Sequence, residues 1–202
     1  MSRAAGRRLP LMPTLLVGMA VAVMIALGVW QIGRAEWKGD LIARYGQAQA
    51  MASQVAWPRN PAEVDAALYR RSVLTCDEVL EIRATAGRSA AGASGWAQVA
   101  RCAIGAGGED NGEGEVALGW SREPYPPSWS GGQVSGWIAP AGGGARLVAS
   151  PAQAGLEQLA PPDPGALPNN HLSYAVQWFF FAAMALVVYW LALRRRWSDG
   201  IG

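Results

Sequence analysis

The single histidine of this chain is the side chain that could serve in the most chemical roles. His171 lies in the segment PNNHLSYAVQWFFFA, directly before a long apolar run. A neutral imidazole can act as a general base, bind a metal ion or ligate haem iron at an axial position. Nucleophilic or acid–base catalysis requires partner groups, and the sequence shows no paired carboxylates in a recognisable setting and no nucleophile motif. We therefore interpret the chain as a non-enzyme in which His171 is a candidate ligand.

The two cysteines are the other reactive side chains. Cys76 and Cys102 each lie in a segment whose composition is typical of a β-strand. In an oxidising compartment they would form a disulfide, and the alternative is two buried thiols. Their spacing, with the one histidine far away in sequence, gives no support for a zinc-type site.

Two uncharged apolar segments indicate where the chain enters a membrane. They run from Thr14 to Ile32 and from Tyr174 to Leu193, and about 20 helical residues are needed to cross a hydrocarbon core of about 30 Å. The first segment also resembles a cleavable signal peptide, but its apolar character continues through Trp30 and Ile32. The second is apolar on all sides, which favours a membrane span over a buried core helix.

Charges at the two ends predict the orientation of these spans. Arg3, Arg7 and Arg8 precede the first span and three arginines, residues 194–196, follow the second, and positively charged flanks stay in the cytoplasm. We therefore predict a multi-pass protein of a bacterial inner membrane, with both termini cytoplasmic and the central domain periplasmic. The predicted organisation is a cytoplasmic tail over residues 1–11, a transmembrane helix over 12–32, a periplasmic β-rich domain with a helical N-terminal extension over 33–170, a second transmembrane helix over 171–193 and a cytoplasmic tail over 194–202.

The central domain is predicted to be an antiparallel β-rich domain, either a small barrel or a sandwich. About six short segments rich in β-forming residues are separated by glycine or proline. Before them, the segment NPAEVDAAL predicts a short helix, because Asn60 can cap it, Pro61 suits its first position and Glu63 completes a capping box.

Polar and aromatic residues cluster where both spans reach the outer membrane surface. If the two helices pack side by side, His171 would lie beside Arg34 and the tryptophans, with Gln31, Arg34 and Lys38 on one face of the first helix. Aromatic rings can pack on a macrocycle, and the cations can pair with haem propionates. The alternative is ordinary interfacial anchoring, which needs no ligand. The predicted binding set is His171, Arg34, Lys38, Trp30, Trp37, Tyr174, Gln177 and Trp178, with His171 as axial ligand of the haem iron.

Two terminal segments resemble the signatures of the Surfeit locus protein 1 family. They are GVWQIGRAEWKGDLI at residues 28–42 and PNNHLSYAVQWFFFA at residues 168–182. The resemblance extends to the layout of both spans and the domain between them. Gly119 and Trp120 look like the family's central glycine–tryptophan pair, although Ser121 follows where a hydrophobic residue is expected. Cys76 and Cys102 also depart from the family pattern.

The resemblance implies an assembly factor for cytochrome c oxidase that helps to place haem a into subunit I. The resemblance also implies that the haem is bound through His171, which matches the histidine reported to bind it in bacterial members of the family. The implied partners are subunit I, the enzymes of haem a synthesis and the lipid bilayer, and no nucleic acid is expected. The first alternative is a haem-independent membrane scaffold that stabilises nascent oxidase subunits. The second is a periplasmic small-ligand binder that is merely anchored by its ends.

Overall fold

Two long apolar helices flank a β-sheet domain in the computed structural model of this chain, which describes residues 9–105, 112–142 and 144–198. The arginines predicted to hold the first tail in the cytoplasm, within residues 1–8, and the last four residues of the second tail lie outside the described residues. Helix α1 runs over Leu11–Ala50 and the C-terminal helix, α3, over His171–Ser198. By length and composition both can cross a membrane. The predicted fold class of two spans around a β-rich domain is thus confirmed.

Within the described residues, the central domain is built on one seven-stranded sheet. The strands are β1 (Gln54–Val55), β2 (Arg71–Cys76), β3 (Glu78–Arg88), β4 (Ser94–Ile104), β5 (Gly112–Ser121), β6 (Gly132–Ala141) and β7 (Gly144–Ala149). Their order across the sheet is β1-β2-β6-β7-β5-β4-β3. The six segments predicted as strands correspond to β2 to β7, and β1 was not predicted.

The sheet is mixed: four of its six strand pairings are antiparallel, as the sequence predicts, and two are parallel. Strand β1 runs parallel to β2, and β5 runs parallel to β7. The second pairing arises because β7 inserts between β5 and β6, which are consecutive along the chain. A pairing of this kind joins strands that no short turn connects, and the period of apolar residues does not reveal it.

The sheet curls because two strands that are consecutive in the chain lie near its opposite ends. Strands β2 and β3 are separated only by a bend at Asp77, yet β2 pairs with β6 and β3 pairs with β4. At this corner the Asp77 N–H donates to the Ala103 carbonyl at 3.0 Å. A disulfide joins Cys76 to Cys102, with Cα atoms 5.2 Å apart. The domain therefore resembles the predicted barrel more than the sandwich.

The buried core of the sheet is mostly apolar. Its largest fully buried aliphatic side chains come from four strands and are Val99, Val116, Leu118, Val134, Ile138 and Leu147. Val116 and Ile138 both pair with Leu147 on neighbouring strands, so these three side chains lie on one face of the sheet. Val99 belongs to a second buried cluster with Ala117 and Val148. Burial of both clusters removes apolar surface from water.

The short helix α2 (Pro61–Ala67) begins as the sequence predicts. The Asn60 side chain accepts a hydrogen bond from the Glu63 N–H at 3.1 Å, and Pro61 occupies the first turn. The Glu63 carboxylate in turn accepts from the Arg59 N–H at 3.0 Å, which completes a capping box one residue further upstream than usual. A single 3₁₀ turn, Pro164–Ala166, follows the last strand.

The end of α1 contacts the central domain through two polar side chains. The Tyr45 hydroxyl donates to the Asp65 carboxylate on α2, and its ring packs 4.8 Å from that of Tyr69, centroid to centroid. The Gln49 amide donates to the Pro162 carbonyl at 2.6 Å. Burial of Tyr45, together with the hydrogen bond and charge of Asp65, raises the pKa of its phenol to about 12. The phenol thus stays protonated and keeps its donor role.

Candidate functional site

Helices α1 and α3 form an antiparallel pair with polar contacts at both ends. At one end the Asn169 amide donates to the Ala35 carbonyl at 3.1 Å, and towards the other the hydroxyls of Thr14 and Tyr189 share a hydrogen bond. Between them the Phe179 ring lies so close to Gly28 that a methyl group there would come within 2.8 Å of it. The predicted side-by-side packing of the two apolar segments is therefore present.

Small residues permit this close approach. Ala175 and Ala182 are buried along the α3 face that meets α1, where Gly28 lies. Between helices in lipid, association depends on packing and on hydrogen bonds, because lipid chains are as apolar as the side chains they replace. A helix pair with a small-residue seam can thus hold its polar end groups in fixed positions.

The imidazole of His171 has a specific partner on α1. Its Nδ1 lies 2.7 Å from Oε1 of Gln31, and both side chains are half-buried. An amide oxygen can only accept a hydrogen bond, so Nδ1 carries the proton and donates it. In the neutral ring the lone pair is then on Nε2. The Asn170 carbonyl accepts from the Tyr174 N–H at 3.2 Å, so His171 is the first residue of α3.

The predicted cations lie on the same end of α1 but in different settings. Arg34 is exposed, and its guanidinium carbon lies 4.3 Å from the ring centroid of Trp37 one turn further on. Lys38 is half-buried. The hydrogen-bond partner of the imidazole is thus Gln31, one turn before Arg34, and Arg34 is engaged in a cation–π contact.

The predicted aromatic and amide residues mostly face outwards. Trp30 and Tyr174 are exposed, as is Gln177 on α3. Trp178 is half-buried and meets Phe181 edge to face, with centroids 6.3 Å apart. These side chains therefore present aromatic surface on the outside of the helix pair instead of filling a closed pocket.

Gln31 is the residue that the predicted binding set omitted. A signal was available, since Gln31 is the one strongly polar side chain in the first apolar segment. An amide in a membrane span is costly unless it is hydrogen-bonded, so it implies a partner on another helix. The sequence could not identify that partner, because 140 residues separate Gln31 from His171.

The arrangement has the features needed to hold a haem iron at Nε2. Histidines that ligate metals usually donate their other ring N–H to an acceptor that fixes the tautomer and the orientation of the ring. Gln31 provides that acceptor. Across the described ranges, no three His, Cys, Asp or Glu side chains converge as an ion-binding cluster would require. His171 is therefore the side chain that could hold a haem iron, with Gln31 fixing its orientation.

Two membrane-capable helices around a single β domain define a two-span membrane protein with one large extramembrane domain. Comparison with known families identifies the class more closely. The SURF1 family profile matches residues 18–183, which include most of α1, the whole sheet and the first part of α3, and the chain belongs to this family. Family membership implies a role in the assembly of cytochrome c oxidase. No curated protein gives a significant match to the chain.

Proposed function

We propose that this protein is a non-catalytic carrier that binds haem a through His171 and assists its insertion into subunit I of cytochrome c oxidase. The observation that supports this most directly is the hydrogen bond from His171 Nδ1 to Gln31. It leaves Nε2, the nitrogen opposite, with its lone pair available in a ring whose orientation is fixed. When bound, haem a would supply the iron that Nε2 ligates.

Side chains around His171 suit the other parts of such a cargo. Arg34 and Lys38 lie one and two turns beyond Gln31 on α1, where their charges can pair with propionates. Trp30 and Tyr174 are exposed and offer flat aromatic surface.

The lipid-facing side of α3 suits a hydrophobic tail. Leu172, Val176 and Phe180 are all exposed on that helix. A prenyl-type tail can therefore remain in the bilayer and needs no protein pocket. A cargo held by one side-chain ligand and a few surface contacts is released more readily than one enclosed in a cavity, which favours transfer to a partner.

We also place the central domain in the periplasm of a bacterial inner membrane. The Cys76–Cys102 disulfide supports an oxidising compartment. Arg195 and Arg196 in the last turn of α3 support a cytoplasmic end for that helix. In this orientation His171 lies at the outer membrane surface. Subunit I and the enzymes that make haem a are then the expected partners.

A direct test is to co-produce the protein with a haem a synthesis pathway, purify it in detergent and measure bound haem a by its visible absorption. We expect His171→Ala to lose the haem while it still associates with subunit I. Ser173→Ala is the matched control, because Ser173 lies two residues further along the first turn of α3 and is exposed. It should bind haem a as the wild type does.

The same experiment distinguishes the scaffold alternative. If His171→Ala retains haem a at the wild-type ratio, or if the wild type carries none, the carrier proposal is wrong. Association with subunit I that is abolished by changing Trp30 or Trp178, but not by changing His171, would favour a haem-independent scaffold.

A further inference from the structure

A cleft of about 400 Å³ lies in the β domain, remote in sequence from His171. Strands β3 to β7, helix α2 and the segment before α2 contribute to its lining. Its size is in the range of small-molecule sites. The lining residues used below are Trp57, Val64, Arg83, Arg101, Glu115 and Arg146.

The Glu115 carboxylate forms ion pairs with two arginines that line this cleft, Arg83 and Arg146. Glu115 Oε2 accepts from Arg146 Nε at 2.8 Å and from its Nη2 at 2.6 Å, and Oε1 accepts from Arg83 Nη2. Burial raises the pKa of Glu115, but the hydrogen bonds and charges of Arg146 and Arg83 outweigh it, and the pKa lies below its usual value. Glu115 is therefore ionised at neutral pH and keeps the two arginines side by side.

The lining carries more positive than negative charge. Four arginines and two glutamates line the cleft. Arg101 forms an ion pair with Glu113 at 3.2 Å, and Glu81, outside the lining, lies 3.8 Å from it. These side chains are about half exposed, so water screens their pairing. The one carboxylate of Glu115 pairs with two guanidinium groups, so Arg83 and Arg146 together keep an excess of positive charge. Guanidinium groups match carboxylate and phosphate oxygens in geometry.

Part of the lining is apolar. Trp57 and Val64 are both half-buried and line the same cleft as the arginines. The indole ring lies close to strand β5, since a methyl group at Gly114 would be 3.6 Å from it. A ligand that fits this cleft carries an anionic head and an apolar or aromatic body.

We propose that this cleft binds a small organic anion whose carboxylate or phosphate group lies against Arg83 and Arg146 and whose apolar body packs on Trp57. The site is independent of the haem proposal, since it shares no residue with it. It gives the β domain a ligand of its own.

The test uses the full-length protein in a neutral detergent and 4-fluorophenyl phosphate as the probe. Binding is measured by the broadening of the probe's ¹⁹F NMR signal as protein is added. We expect saturable binding with Kd on the order of 1 mM or tighter. Arg83→Gln should weaken binding about tenfold, because a charge-assisted hydrogen bond is lost. Arg88→Gln is the matched control, since Arg88 is an exposed arginine of the same strand outside the cleft lining, and it should bind as the wild type does.

Arg101→Gln, on the neighbouring strand, gives a second and independent measurement if Arg83→Gln fails to fold. We expect it to weaken binding several-fold. The proposal is overturned if the wild type does not broaden the probe signal, or if the cleft variants bind as tightly as the wild type. It is equally overturned if Arg88→Gln weakens binding as much as Arg83→Gln does.

A competition arm identifies the source of the anion. Displacement of the probe at lower concentration by short-chain phosphatidylglycerol than by glycerol 1-phosphate assigns the site to lipid headgroups. The reverse order assigns it to a free metabolite. Either order supports the proposed chemistry. The proposal is contradicted if none of the three compounds, the phosphatidylglycerol, glycerol 1-phosphate or benzoate, displaces the probe.

Discussion

Removal of the Cys76–Cys102 disulfide should destabilise the β domain by several kcal/mol. The two cysteines are 26 residues apart along the chain. Closing a loop of that length removes about 12 cal/mol/K of entropy from the unfolded chain, which corresponds to about 3.5 kcal/mol at 25 °C. Both side chains are buried, so replacing them with alanine also leaves a small cavity. Reducing the disulfide of the wild type removes the cross-link but keeps both cysteine side chains. It therefore measures the effect of the cross-link without that of the cavity.

Amide hydrogen exchange of the full-length protein in detergent measures this effect. The core amides of Val99 and Val116, both fully buried, should exchange only through domain unfolding. A loss of about 3.5 kcal/mol would accelerate their exchange about 300-fold. We expect this acceleration when the wild type is reduced, and slightly more for the Cys76→Ala/Cys102→Ala variant.

The double variant is also the control, since reductant should leave its exchange unchanged. An acceleration of less than about fivefold on reduction would refute the reasoning. It would mean that the Asp77 corner is already constrained in the unfolded chain, or that the reduced domain relaxes to an equally stable arrangement.

Three further predictions concern individual hydrogen bonds. Gln31→Leu should weaken haem a binding to His171 by about 10- to 100-fold, measured by titration, because the imidazole loses the acceptor that orients it. Tyr45→Phe should lower the free energy of unfolding by about 1 kcal/mol, since its bond to Asp65 is lost. The pKa of Tyr45 is raised from 10.0 to about 12 in the folded protein. This contribution is therefore complete below pH 10 and is lost as the pH rises from 10 through about 12. Glu115→Gln should cost about 1 kcal/mol at pH 7. Because the folded pKa of Glu115 lies below its usual 4.5, the difference from wild type should shrink as the pH falls below that value.

Two of these predictions have a control variant within the chain, and the third is checked by its pH dependence. Gln31→Glu keeps an acceptor for the imidazole and should restore most of the haem affinity, whereas equal loss in both variants would show that the contact does not act through hydrogen bonding. Tyr125→Phe alters a tyrosine that is 73% exposed and should not change stability. Denaturant titrations across pH measure both stability effects. A Glu115→Gln deficit that grows at low pH would contradict the assigned direction of the pKa shift.

Local features of the fold were predictable from the sequence. The helix start at Asn60 and Glu63 depends on residues three positions apart, and the strands are bounded by glycine and proline. The two spans follow from uncharged segments of sufficient length. In each case the interactions that decide the structure lie within a few residues of one another.

Long-range pairings were not predictable in the same way. The parallel pairing of β5 with β7 and the contact of Gln31 with His171 bring together residues far apart in the chain. The ion pairs of Glu115 with Arg83 and Arg146 span 32 and 31 residues. Composition shows that such groups exist, but the register of the sheet and the packing of the helices select their partners.

The bend at Asp77 has a consequence for how this domain can vary. Residues on either side of it are aligned with different neighbours, Cys76 with Gly132 and Val79 with Cys102. Adding or deleting a single residue there would move every side chain of one of the two flanking strands to the opposite face of the sheet. Relatives of this protein should therefore tolerate changes in side chain at the corner but keep its length fixed over evolution.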